Sequence, residues 1–338
     1  MPTQETQQLD EVIAGSRRRM LTLGGAALAG VALTSIAHAQ SATLTDADYL
    51  NFALNLEYLE AEFYTLAASG QTIDQMGLGI SGTGTQGNVT TKSGGPTACK
   101  VPFTNTLVQS YAQEIATEER NHVKFLRGAL GSSAVAQPAI DLYNSFNALA
   151  SKLPGLSLTS FDPFADDIHF LLGAYIFEDV GVTAYTGAAP NLTSSSNLDA
   201  AAGIQGVEAY HAGLVRTVIY GLDQSATTLG PAGTATAVAA SISKLRAMLD
   251  GSTVNAQAAD GDDVGLGTQQ VMLNGSANVT ASALVNASTT GSINAAGSGS
   301  TAGSLVFART AAQVLSIVYA GGSGKGGFFP SGLNGNVK

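Results

Sequence analysis

Glu119-Arg120-Asn121-His122 and Glu208-Ala209-Tyr210-His211 are the two stretches on which the reading of this chain turns. Each places a carboxylate three residues before an imidazole. At 100° per residue that spacing puts the two groups within about 60° on one helix face, so one metal ion can be held by both. The flanking sequence is helical in period. Asn105 to Leu130 carries an apolar repeat that stops at Gly131, and a second run opens at Ser196 with Asp199, continues to Tyr220 and stops at Gly221. A lone E-x-x-H is ordinarily a surface pair worth about 0.3 kcal/mol. Two in order carry more weight because of what precedes each.

Ahead of the first lies an amphipathic segment from Thr45 to Ala68, with Thr45 and Asp48 as a cap pair and Glu57 and Tyr64 along one side. Ahead of the second, Asp162-Pro163 reads as a cap and first-turn proline opening a helix to about Thr186, which Pro190 ends; it carries Glu178 and Tyr185. In both, glutamate and tyrosine are seven residues apart, about 20° on a helix. The chain therefore reads E-x6-Y, E-x-x-H, E-x6-Y, E-x-x-H, an internal duplication of a helical hairpin. Glu57 and Glu119 are 62 residues apart and Glu178 and Glu208 are 30 apart. The surplus of 32 is close to the length of a Gly-, Ser- and Thr-rich insert at 69–98.

Four inward-facing carboxylates, Glu57, Glu119, Glu178 and Glu208, could not share an apolar core uncompensated, because each buried charge costs several kcal/mol and like charges add to it. Two divalent cations balance four carboxylates, with the neutral imidazoles of His122 and His211 each completing one shell. A Glu from each of two helices with an E-x-x-H from each of the other two is the ligand pattern of ferritin-like di-iron and di-manganese bundles, and residues 44–222 resemble that superfamily. With the segment Phe307-Ala308-Arg309-Thr310 to Gln313-Val314-Leu315 and the tail Lys325-Gly326-Gly327-Phe328-Phe329-Pro330, the chain after its first forty residues resembles the exported ferritin-like or desiccation-related proteins.

The resemblance implies an all-α fold: a ferritin-like four-helix bundle with a long crossover, a fifth short helix at Ala235–Leu249 and a loop-rich C-terminal extension. It implies that Glu57 and Glu178 are terminal ligands, that Glu119 and Glu208 bridge two irons or, alternatively, two manganese ions, and that Tyr64 and Tyr185 lie near the site as hydrogen-bond partners or electron donors. The expected activity is reaction with O2 or peroxide, with Fe(II) oxidation in stress or desiccation protection. The alternatives are dimanganese catalase-like disproportionation of peroxide and a non-enzymatic protective bundle, since a fold and a ligand set do not fix a reaction.

The other titratable residues divide on geometry. Glu118 competes with Glu119 for His122, and the second repeat, where Glu208 stands alone near His211, favours Glu119. Glu60 competes with Glu57, which the tyrosine spacing favours. Glu62, about 140° from Glu57, is expected to face solvent, and His169, about 180° from Glu178, to be a surface or packing residue. Tyr49, Tyr58 and Tyr111 read as packing residues. Cys99 reads as an exposed or intermolecular thiol or as a buried inert one.

Composition narrows the classes of function. The 338 residues include 15 basic and 25 acidic ones, a net charge of -10, which argues against nucleic acid as a partner. One cysteine excludes an intrachain disulfide and a cysteine-based metal cluster. Arg17-Arg18-Arg19 before the apolar run Met20–Ala37, ending in Ala37-His38-Ala39, reads as a cleaved export signal of twin-arginine type over residues 1–39. The product would be periplasmic or secreted, without a stable membrane span and as a monomer or small homo-oligomer. The expected domains are a bundle over 40–250 and a Gly/Ser/Thr-rich extension over 251–338, whose stripe Phe307, Ala311, Val314, Leu315, Val318 and Tyr319 docks on the bundle. Residues 255–304 read either as a covering layer or as a flexible segment.

Overall fold

Thr45 and Asp48 form a reciprocal capping box, with both the Thr45 amide and hydroxyl 2.7 Å from Asp48 Oδ2, and from it helix α1 runs over Asp46–Ser69. The computed structural model describes residues 44–156, 158–223, 233–251, 263, 265–266, 268–273, 277–282, 306 and 308–338. The export signal expected over 1–39 and most of 255–304 therefore lie outside the described residues. Among the described residues, no helix is long and apolar enough to cross a membrane.

Asn105 accepts from the amides of Leu107 and Val108 and opens α2, Thr106–Leu130, which ends at Gly131 with φ of 55°. A short helix, α3 (Asn144–Ala150), follows; its few apolar residues give too little period to be read from sequence. Helix α4 spans Asp167–Ala188. Its cap is Asp166, which accepts the His169 amide at 2.9 Å, and not Asp162. Asp162 instead closes a preceding turn and takes the Lys92 ammonium at 2.7 Å, so the Asp-Pro signal marks a turn rather than the helix start. Pro190 lies in a 3-10 turn just past the end of α4. Helix α5 spans Ser195–Asp223 and passes through Gly221, where the sequence suggested a stop. Its first turn is held by Ser194, whose hydroxyl accepts the Asn197 amide, and by the α1 residue Asp46, which accepts from Thr193, Ser194 and Asn197. Helices α6 (Ala235–Leu249) and α7 (Ala311–Val318) are capped by Thr234 and Thr310.

Cross-helix pairs set the packing. Thr65 accepts from Arg120 and Tyr58 from Arg127, so α1 and α2 run antiparallel. Gln205 reaches Thr186 and Arg216 reaches Asp179, so α4 and α5 do too. The two hairpins close a four-helix bundle whose aromatic centre is Phe63, ringed by Tyr64, Phe146, Phe164, Phe170 and Phe177.

The insert after α1 lies along the segment that follows α2. Strand β1 (Val89–Thr90) pairs in parallel with β2 (Ile140–Asp141). The approach is close enough that a Cβ on Gly87 would sit 2.2 Å from the Ala139 amide, so glycine is required there. Cys99, just after the insert, is buried. A hairpin of β3 (Thr268–Leu273) and β4 (Ala277–Ser282) adds structure within 255–304. At the C-terminus Val314, Val318 and Tyr319 of the expected stripe are buried, while Phe307 lies outside the described residues. Phe328 packs on Phe146 and Phe177, and the Asn334 side chain and backbone tie Asn55 of α1 to Thr85 of the insert and to Ala136.

Two buried polar features escape sequence reading. Asp179, Arg216, Arg246, Asp250, Asp263 and Arg309 form one chain of ion pairs: Asp179 bonds Arg216 at 2.9 Å and Arg246 at 2.6 Å, Asp263 bonds Arg246 and Arg309 at 2.7 Å each, and Asp250 bonds Arg309 at 3.0 Å. The three arginines are at most 2% exposed. The second feature is Glu62, which is fully buried on α1 rather than in solvent, because the insert covers that face and its Ile73 amide donates to Glu62 Oε2 at 3.1 Å. Burial pushes its carboxyl from 4.5 up to about 8.

Two outcomes follow from these features. Arg246→Ala takes one of two arginine partners from each of Asp179 and Asp263, leaves the buried network one positive charge short and should lower unfolding stability by about 3 kcal/mol in urea titration. Folded Glu62 holds a proton that the unfolded chain releases, so its contribution is present below about pH 4.5 and is lost as pH rises through about 8. Glu62→Gln should therefore gain Tm over wild type progressively between about pH 5 and about pH 9 in thermal melts.

Candidate metal centre

The buried residues of α2 run Ala112, Ile115, Ala116, Glu119, His122, Val123 and Leu126, so the E-x-x-H carboxylate and imidazole occupy the apolar stripe itself. Glu57 on α1, Glu178 on α4, and Glu208 and His211 on α5 meet them in the middle of the bundle. The four glutamates are at most 1% exposed, His211 is fully buried, and His122 is 8% exposed. All six candidate ligands identified from the sequence are brought together, in two overlapping sets. Atoms of Glu57, Glu119, His122 and Glu208 lie within 4.8 Å of one another, as do atoms of Glu119, Glu178 and His211. Glu119 belongs to both sets, while Glu208 joins the set of the other repeat's histidine.

Apart from a hydrogen bond between His122 Nδ1 and Glu57 Oε2, most of the ligand-type atoms converge without satisfying one another. His122 Nδ1 lies 3.1 Å from Glu57 Oε2, 3.4 Å from Glu119 Oε2 and 3.7 Å from Glu208 Oε1. His211 Nδ1 lies 3.1 Å from Glu119 Oε1 and 3.4 Å from Glu178 Oε2. Yet both oxygens of Glu119, both of Glu208, Glu178 Oε2 and His211 Nδ1 have no hydrogen-bond partner. Buried polar atoms are almost always paired. Six orphaned atoms aimed at shared points rather than at each other fit a pair of cations, and carboxylate with imidazole is a donor set suited to iron, manganese or zinc.

Protonation reflects that density of charge. Burial raises Glu57 to about 7, against the pull of His122. Burial also raises Glu178 and, with the surrounding carboxylates, lifts Glu208 well above the usual range. Burial opposes the imidazolium of His122, but Glu57 and Glu119 raise it to about 12. In the protein without metal the histidines thus carry the positive charge that cations would supply, and metal must displace those protons.

Tyr64 and Tyr185 lie at the centre, each serving the opposite repeat. Tyr64 donates to Glu178 Oε1 and Tyr185 donates to Glu57 Oε1. Burial, followed by the adjacent carboxylate, pushes both phenols well above their ordinary value, so both stay protonated donors. Each pins one carboxylate oxygen and leaves the other facing the metal positions.

Three further residues belong to the site's surroundings. Glu118 does not compete for His122. Its carboxylate accepts from His211 Nε2 at 2.7 Å across the α2–α5 interface, which holds that ring with Nδ1 inward. Spacing within one helix could not reveal a partner on another. Glu60 is buried beside Glu57 but belongs to neither ligand set, and burial with Glu119 and Glu178 nearby lifts its carboxyl well above the usual range. Gly181 is the third. A Cβ there would lie 2.1 Å from Glu208 Oε2, so this glycine opens the space that Glu208 fills. The repeat does carry a signal for it: Glu60 and Gly181 each follow the ligand glutamate of their helix by three residues. His169 is a half-buried surface residue that pairs with Asp166, and Tyr58 is a buried packing residue.

Because Glu208 ends in a flexible carboxylate, Gly181→Ala should displace that group rather than unfold the bundle. The expected outcome is metal stoichiometry reduced by about half with helical circular dichroism unchanged, checked by elemental analysis on the dialysed variant.

Comparison with known proteins agrees with this architecture. The chain is 32% identical over 180 residues to a desiccation-related protein of Craterostigma plantagineum, covering 52% of this chain and 53% of that one. This chain thus spans about half the length of that relative. It is 26% identical over 297 residues to a ferritin-like catalase of Nesocodon mauritianus, covering 86% of this chain and 84% of the relative. No solved structure matches it with significance. The ferritin-like domain matches residues 45–221, from the capping box of α1 to the last turn of α5, and the chain belongs to that family.

Proposed function

We propose that this chain holds two redox-active divalent ions, iron or manganese, between its four long helices and consumes hydrogen peroxide there. The observation that carries the reading is the set of six buried, unpartnered ligand atoms on Glu119, Glu178, Glu208 and His211. Similarity to a ferritin-like catalase over most of both chains favours peroxide as the substrate. Glu57, Glu119, His122 and Glu208 would hold one ion and Glu119, Glu178 and His211 the other. Bound there, the ions would supply the redox equivalents that convert two peroxides to two waters and O2.

The protein's own part is positioning and exclusion of water. Tyr64 and Tyr185 fix Glu178 and Glu57 by donating to one oxygen of each, Glu118 fixes the His211 ring, and the near-zero exposure of the glutamates keeps bulk water from the centre. Family membership favours a second reading, oxidation of Fe(II) by O2 at the same residues. We further propose export of the chain by the basic and apolar signal over residues 1–39, with protection against stress or desiccation as the setting and a monomer or small homo-oligomer as the form.

Elemental analysis of protein purified from its native compartment should find iron or manganese at about two ions per chain, and a Glu208→Ala/His211→Ala variant should lose most of it. Equal metal in both overturns the site. An oxygen electrode separates the two reactions: O2 released from peroxide supports the first reading, and O2 consumed on Fe(II) addition without release from peroxide supports the second.

A further inference from the structure

A cavity of about 40 Å³ lies between α1 and α4 beneath α7, room for about three water-sized molecules. Its outer rim is half-buried, at Tyr49, Ala53 and Leu56. Its inner end is fully buried and reaches Glu57, Glu60 and Tyr185, which places it against the metal-facing groups. Between the two the lining is aliphatic and aromatic, and Ile317 and Val318 of α7 roof it. A second cavity, around Leu149 and Ile242, is lined by none of the six candidate ligands.

We infer that this passage is the entry to the metal pair and that it admits only small uncharged molecules, of the size of hydrogen peroxide or dioxygen, with Ala53 setting the width at the rim and Ile317 the height of the roof. The inference rests on the proposed reading of the site and deepens it. An apolar wall charges an entering ion several kcal/mol of desolvation, which disfavours superoxide and aquated metal ions on this path. A neutral peroxide pays less, because it gives up only hydrogen bonds to water and carries no net charge. Space for about three waters does not accommodate the aryl group of an organic hydroperoxide. The route also depends on the C-terminal extension, because α7 supplies the roof.

The test uses the purified full-length chain reconstituted with manganese or iron. Wild type should consume hydrogen peroxide and be at least about 100-fold slower on cumene hydroperoxide. Ala53→Phe, at the half-buried rim, should lower kcat/KM for hydrogen peroxide by about tenfold or more at unchanged metal content and Tm. Ile317→Ala should raise turnover of cumene hydroperoxide. Independently of activity, xenon should bind between α1 and α4 in the metal-free wild type and be lost in Ala53→Phe, read by 129Xe NMR or in xenon-pressurised crystals. Ala53→Phe retaining full kcat/KM at full metal content, wild type accepting both peroxides equally, or absence of xenon from the cavity would each overturn the inference. Wild type that binds metal but consumes neither peroxide nor O2 overturns the reading of the site, and xenon occupancy then reports separately on the passage.

Discussion

Buried negative charge at the centre of the bundle is the constraint on which the rest of this structure depends. Five carboxylates, Glu57, Glu60, Glu119, Glu178 and Glu208, and two imidazoles meet where an ordinary bundle would place leucine. Their desolvation is tolerable only if cations are bound or protons are held, and the raised carboxyl and imidazole values of the metal-free protein describe the second state. The surrounding apolar mass, from the Phe63 cluster to the docked tail, holds that charge in place.

The duplication explains how such a site is assembled from few parts. Each repeat offers one E-x6-Y helix and one E-x-x-H helix, and the tyrosine of each donates to the glutamate of the other. Neither hairpin could complete the site alone. The two halves have nonetheless diverged: Glu118 supports His211, while the matching position before Glu208 is Val207, and Glu60 in the first half stands opposite Gly181 in the second. The two candidate ligand sets therefore differ in their surroundings, and the cavity beneath α7 lies on the side of Glu57 and Glu60.

Outside the site, part of the low charge content of the chain lies in buried pairs. Arg216, Arg246 and Arg309 are one quarter of the basic residues after position 39, and all three join Asp179, Asp250 and Asp263 in a network that ties α4, α5 and α6 to the C-terminal segment. The extension is thus integral to the body that carries the site: Arg309 locks its entry, α7 roofs the passage, and Phe328 with Asn334 closes it over α1 and the insert.

Helix boundaries at Thr45, Asn105 and Gly131 were legible in the sequence because caps and breakers act within one turn. The convergence of the six candidate ligands was legible for a related reason: spacing along a helix fixes which side chains share a face, and the repeat favoured one of several glutamates. Where local rules competed, the sequence misled. Asp162-Pro163 looked like a cap and first turn, Gly221 looked like a stop, and Glu62 looked exposed because the insert that buries it has no helical period to show where it folds back. What only the tertiary structure decided were relations between elements: the crossed tyrosine–glutamate bonds, Glu118 behind His211, the space at Gly181, the arginine network and the roofed passage. Periodicity specifies the face a residue occupies on its own helix, and the partner across that face is specified by packing between segments far apart in the chain.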